Sequence, residues 1–301
     1  MSGPDRERRE WDEQDGAPRM LWAGSSASPV AQAGDERRGL AGGAVSTVDD
    51  RNGPLLETHG LYKSFGALRV AEGLDLRLAR GARQALIGPN GAGKTTLLNL
   101  ITGALPPSAG QIRLRGRDIT HLPQHARARL GIARTFQINQ LFGGLAVIDN
   151  VALAIAERTG ASRHFWRPLG REDALLEEAF ALLDTLGLAA VAMQPIRTLP
   201  YGHQRVVEIA LALAARPRVL LLDEPAAGVP VAETRAILDA IERLQPEIAV
   251  LIVEHDMDLV FRFARRITVM VGGAILTEGT RQDIAADARV RAAYLGDRRR
   301  G

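Results

Sequence analysis

The chain has no cysteine among its 301 residues, which excludes disulfides, thiolate metal sites and thiol nucleophiles. No apolar run reaches the ~20 residues that span a bilayer, so a soluble chain is expected. A secretory leader with its apolar stretch is also lacking, which makes the cytoplasm the default expectation. The formal charge of +3 is small for this length and does not argue strongly for nucleic acid. Only two of the 38 basic residues are lysines, Lys63 and Lys94. A chain this biased toward arginine keeps lysine where a compact point charge is wanted. What is abundant is apolar matter: at 46% hydrophobic residues, the chain can build a packed core.

Lys94 lies in Gly88-Pro89-Asn90-Gly91-Ala92-Gly93-Lys94-Thr95-Thr96, which fits G-x-x-x-x-G-K-[ST], a phosphate-binding loop. Gln84–Ile87 before it reads as a short buried strand, and Thr95–Ile101 after it as the first turns of a helix. Gly88, Gly91 and Gly93 let the backbone curl so that successive N–H groups face phosphate oxygens. The helix N-terminus adds a partial positive charge there. Lys94 supplies an ammonium for the β- and γ-phosphates, and the Thr95 hydroxyl can ligate Mg²⁺.

Along the chain, residues 1–54 are rich in Arg, Asp, Glu, Gly and Ser without apolar periodicity and read as a disordered arm. Residues 55–66 read as a strand, and 67–78 as a second one with Leu74, Leu76 and Leu78 on one face. After the loop and its helix, Gln111–Gly116 reads as an edge-like strand, and Gly131–Gln137 as a strand ending at Gln137. Helices are expected at Val147–Ala156 and Asp173–Leu186, the second with Leu176, Ala179, Phe180 and Leu183 inward. Between them, Arg163-His164-Phe165-Trp166-Arg167 is a loop or a partner contact. Thr198–Arg205 opens a helix that runs to Ala215. Two buried strands follow, one ending in Asp223 and Glu224, the other (from Ala249) in His255, with helices at Val231–Leu244 and Met257–Phe263. Strands at Ile267–Met270 and Ala274–Thr277 close the core, and a short tail follows. Apolar strands alternating with helices imply a mostly parallel sheet covered on both faces. The stretch 138–198 reads as an inserted helical subdomain.

These motifs, in this order, resemble an ABC transporter ATPase subunit over 55–296, with 297–301 as a tail. The resemblance rests on Gly88–Thr96, Gln137, Leu199-Pro200-Tyr201-Gly202-His203-Gln204, Val219–Glu224 and His255. It implies an α/β fold: a P-loop NTPase of ABC type, with a mostly parallel sheet core, an N-terminal antiparallel β part and the inserted helical subdomain. It implies ATP and Mg²⁺ as cofactors. Asp223, Thr95 and Gln137 would serve the metal. Glu224 would polarise the attacking water, with His255, Gln137 and Lys94 as further catalytic groups. Phe65 would stack on adenine, with Tyr62 as its competitor. Pro200, Tyr201 and Gly202 would open a signature helix that caps the nucleotide held by a second cassette, identical or a sister subunit. Membrane permeases, and a substrate-binding protein indirectly, complete the implied partners, and no nucleic acid is expected. The implied location is the cytoplasmic face of a bacterial membrane.

Gly131–Gln137, Glu224-Pro225-Ala226-Ala227-Gly228, Val253–Met257 and Ala293-Tyr294-Leu295-Gly296 narrow the resemblance to the branched-chain amino acid uptake group, whose phrases urea and short-amide importers share. Two prolines depart from the family pattern. Pro200 replaces a serine and removes a hydroxyl. Pro230 stands where an aspartate that touches the opposite site is common. A soluble ABC protein acting on ribosomes or DNA is a second reading, against which stand a single cassette and no heptad run. A nucleotide-binding regulatory subunit, weakened by the two prolines, is a third. His59, His121, His125, His164 and His203 read as structural.

Overall fold

Three strands rich in apolar residues, each five residues long, build the middle of the central sheet. They are β4 (Arg83–Ile87), β8 (Val219–Asp223) and β9 (Ala249–Val253), and β8 and β9 are buried along their whole length. Strands with no polar face must be covered on both sides. The computed structural model describes residues 53–135, 141–160 and 170–296, all within one of two compact units, Val48–Gly301. Residues 1–52 of the arm expected over 1–54, Gln137, the segment Arg163–Arg167 and the tail 297–301 lie outside the described residues.

The central sheet has six strands in the order β11-β10-β4-β9-β8-β7, with β7 at Ile132–Arg134, β10 at Arg266–Val271 and β11 at Ala274–Gly279. All its pairs are parallel except β10 with β11. A second, antiparallel sheet comprises β1 (Leu56–Phe65), β2 (Leu68–Leu74), β3 (Arg77–Leu78), β5 (Ala109–Leu114) and β6 (Arg117–Asp118). Alternation along β4, β8 and β9 divides the core. Ala85, Ile87, Leu220, Leu222, Val250 and Ile252 face α5 (Tyr201–Ala214) and α6 (Val231–Glu242). Leu86, Leu221, Leu251 and Val253 face α1 (Lys94–Thr102) and the antiparallel sheet. The expected fold class is the observed one.

Four local expectations are corrected. The stretch at Gln111–Gly116 is not an edge strand: β5 lies between β1 and β6, because Arg115-Gly116 turns the chain back into the two-residue β6. A helix the periodicity missed, α2 (Gln124–Arg129), sends buried Arg127 to the carbonyls of Leu100, Ile101, Thr120 and Leu122, which includes the end of α1. β7 stops at Arg134 rather than running toward Gln137. In α4 (Gly170–Thr185), packed against α3 (Val147–Thr159), Ala179 and Leu183 are buried as expected, but Leu176 and Phe180 are exposed. Leu175 and Leu182 take the inward stripe instead. Apolar residues at both 175/179 and 176/180 satisfy helical spacing, so only packing decides the face.

After β9 the chain forms α7 (Met257–Phe263), with the Asp256 side chain accepting from the N–H groups of Asp258 and Leu259. The expected short tail is two helices, α8 (Arg281–Ala286) and α9 (Ala288–Gly296). Thr280 and Asp283 cap α8 reciprocally.

Candidate nucleotide site

Strands β4, β8 and β9 are parallel neighbours, so their carboxyl ends open on one edge of the sheet. That edge is where open α/β sheets bind ligands. The loop after β4 is Gly88–Gly93, and α1 begins at Lys94. Two of its glycines are required by space. A Cβ on Gly88 would fall 2.1 Å from the Met270 carbonyl oxygen, and one on Gly93, whose φ is 96°, would fall 2.5 Å from that of Val70. Strand β10 and strand β2 therefore pinch the loop from two sides. The Lys94 ammonium is buried and folds back onto its own loop, donating to the carbonyls of Gly88 at 2.8 Å and Pro89 at 3.0 Å. Burial pushes its pKa down, opposed by the nearby charges of Glu224 and Asp223. Asn90, Gly91 and Thr95 are exposed, Pro89 and Thr96 half-buried, and Ala92 buried.

Asp223 ends β8 fully buried, hydrogen-bonded to the Arg134 guanidinium from neighbouring β7. The same guanidinium donates to the Asn99 side chain of α1. The other Asp223 oxygen, Oδ1, is buried without a partner. The charge of Asp223 acts on Lys94, the neighbour of Thr95 in sequence, and the buried, unpaired carboxylate oxygen and the exposed Thr95 hydroxyl would together offer oxygen donors of the kind Mg²⁺ takes.

Glu224 leaves the strand with φ of 49°, a left-handed backbone that costs a non-glycine residue of order 1 kcal/mol. The turn swings its carboxylate off the line of β8, while its N–H still donates to Val253 of β9 at 2.9 Å. The carboxylate meets His255 Nε2 at 2.8 Å, and both side chains stay partly open to solvent. His255 stands two residues past the end of β9 rather than on it. Between them the sequence reading missed Glu254. Its buried carboxylate accepts the N–H groups of Ala226 and His255, each at 3.0 Å, and so ties the turn after β8 to the turn after β9. Burial holds its pKa above the usual carboxylate range.

The remaining expected residues lie apart from this cluster in the contacts they make. Phe65, at the end of β1, is exposed, with the Lys63 ammonium 5.0 Å from its ring centre. Tyr62 is also exposed, and its hydroxyl faces Gly73. Pro200 sits at the N-cap of α5 and provides no side-chain cap. The Arg205 guanidinium lies 4.9 Å from the centre of the Tyr201 ring and donates to the Tyr201 hydroxyl at 2.6 Å. Gly202 is buried, and its N–H donates to Glu233 of α6 at 2.7 Å. From α9, the Tyr294 hydroxyl lies against the Gly88 backbone N–H; burial pushes the phenol up to about 12. Arg134, Glu233, Glu254 and Tyr294 were missed as site neighbours, because each acts across a large sequence separation.

A strand–loop–helix phosphate cradle beside a strand-end Asp-Glu pair defines the class: a P-loop nucleotide triphosphatase. The comparisons then place it more narrowly. The family model described as ABC transporter matches residues 71–227, and one described as branched-chain amino acid ATP-binding cassette transporter matches 274–299. The chain is 39% identical over 253 residues to the high-affinity branched-chain amino acid transport ATP-binding protein BraF of Pseudomonas aeruginosa, covering 81% of this chain and 98% of that one. It is 38% identical over 251 residues to LivG of Escherichia coli K12, covering 81% and 98%. Among solved structures, the ADP conformation of MJ1267, an ATP-binding cassette of an ABC transporter, superposes with a TM-score of 0.70 at 30% identity, covering 81% and 99%. The chain belongs to the ABC transporter ATP-binding family and is an ATPase of that family.

Proposed function

We propose that this chain powers an ABC importer for branched-chain amino acids or chemically similar small amino acid, amide or urea cargo. The observation that carries its catalytic part is Glu224, turned off the strand end by a left-handed backbone and hydrogen-bonded to His255. Glu224 is the base that polarises the attacking water, and His255 orients it. Lys94 exchanges its two loop carbonyls for the β- and γ-phosphates, and Gly88–Thr96 hold the rest of the triphosphate. Phe65 is the proposed adenine contact. Mg²⁺ would be held by Thr95, Asp223 and Gln137, where it neutralises charge on the terminal phosphates.

The cargo follows the printed names of the relatives and the match at 274–299. A cavity of about 350 Å³ supports a permease partner. Arg134, Leu141, Phe142, Leu153 and Leu211 are among its lining, and Phe142 and Leu153 are exposed at its mouth. No helix among the described residues is long and apolar enough to cross a membrane. A peripheral position on the cytoplasmic face, held by permeases, is the proposed location. In the same reading Pro200, Tyr201 and Gly202 cap the nucleotide of a second cassette. The boundaries proposed are a cassette over 55–296 with a helical subdomain over 138–198.

The test compares Lys94→Ala with Glu224→Gln in the full chain. Lys94→Ala is expected to lose ATP binding. Glu224→Gln is expected to bind ATP normally and lose steady-state turnover by about 10²–10⁴-fold. Unchanged turnover in Glu224→Gln would remove the catalytic assignment. Uptake of radiolabelled leucine against urea, in cells carrying the permeases, decides the cargo.

A further inference from the structure

Helix α5 begins without a side chain to cap it, because Pro200 at its N-cap has no hydroxyl. A helix start carries unsatisfied N–H groups and a partial positive charge. The chain answers this from elsewhere: the Gly202 N–H donates to the Glu233 carboxylate of α6 at 2.7 Å. The two helix starts touch closely. A Cβ added to Gly202 would lie 2.8 Å from both the Cβ and the carbonyl oxygen of Glu233.

Glu233 is free to reach α5 for a reason in its own helix. It occupies the third position after the Pro230 N-cap of α6. There a glutamate ordinarily turns back to accept the N-cap N–H. Proline has no N–H, so no reciprocal cap can form at home. One proline thus leaves α5 without its acceptor, and the other leaves Glu233 without its donor. The two deficits meet in a single hydrogen bond.

We propose that Glu233 is an internal anion seated on the N–H that a partner cassette's nucleotide phosphate must take, and that the phosphate displaces it when two cassettes close. This rests on the reading of α5 as the phosphate-facing helix of a cassette pair. Two anions cannot share one donor without strong repulsion, so the carboxylate withdraws as the phosphate arrives. Glu233 thereby sets how much ATP is needed before the pair closes.

The experiment measures ATP-driven dimerisation of the full chain with Mg²⁺ by sedimentation velocity, in a Glu224→Gln background that holds nucleotide without turnover. Glu233→Ala is expected to lower the half-maximal ATP concentration on the order of fivefold. Glu233→Gln, which keeps an acceptor without its charge, is expected to fall between. A merely structural cap gives a different pattern: lower thermal stability in Glu233→Ala and an unchanged or raised half-maximal ATP in both variants. That pattern overturns the inference. A Glu224→Gln parent that stays monomeric at every ATP concentration overturns the pair reading itself, and the inference falls with it.

Discussion

The Arg134 guanidinium donates to the Asp223 carboxylate from the adjacent strand, and neither side chain sees much water. The charge on Asp223 is therefore balanced from within the fold. Removing the arginine leaves a buried carboxylate without its counter-charge. Arg134→Met is expected to destabilise the nucleotide-free protein by about 3 kcal/mol, with Arg134→Lys intermediate. Urea denaturation without nucleotide reads the difference. Equal stability of all three proteins would show that Asp223 has no need of its neighbour.

Glu254 gives a pH signature. Burial is the main cause of its raised pKa; the N–H groups of Ala226, His255 and Asp256 oppose it, and the charge of Glu224 adds to it. The folded state then holds the proton above the ordinary value of 4.5, where the unfolded chain has released it. In that window the native state binds more protons, so its stability falls as pH rises. Glu254→Gln removes this slope. The stability of wild type relative to the variant is expected to decline as the pH is raised above that ordinary value of 4.5. A difference that stays flat across that range excludes the raised pKa.

Tyr294 reaches from α9 to the first glycine of the phosphate loop. Tyr294→Phe keeps the ring and deletes the acceptor. It is expected to cost about 1 kcal/mol in urea denaturation and to weaken ATP binding a few-fold. Calorimetric titration checks the second effect. Full-strength binding would mean that α9 supports the loop only through packing.

Pro200→Ser restores a hydroxyl at the start of α5, and is expected to raise stability by about 1 kcal/mol in thermal unfolding. Because serine would then share the capping of α5 with Glu233, the effects of Pro200→Ser and Glu233→Ala are expected to be non-additive in a double-mutant cycle. Strict additivity would separate the two residues.

The phosphate loop was legible because its chemistry is local: glycines, lysine and threonine within one strand–loop–helix unit. Asp223, Glu224 and His255 were legible because each ends or follows an apolar run. The supports were not. Arg134 reads as one more arginine in a chain full of them, and its partner Asp223 becomes a neighbour only when β7 pairs with β8. Glu254 looks like another acidic residue beside His255 until the turn after β8 arrives above it. The spacing of α4 allowed two apolar stripes, and only packing chose Leu175 and Leu182 over Leu176 and Phe180. Helix α8 did carry a readable signal, since Thr280-Arg281-Gln282-Asp283 is a capping pattern.

Lys94 holds the carbonyls of Gly88 and Pro89 and so latches the loop in a closed curl. The kinetic consequence is that nucleotide meets a cradle that has nothing left to fold. Entry exchanges two backbone acceptors for phosphate oxygens on one side chain, so little ordering entropy remains to be lost on arrival. The observed association rate should therefore be set by diffusion and orientation, rising in proportion to nucleotide concentration with no plateau from a slow loop rearrangement.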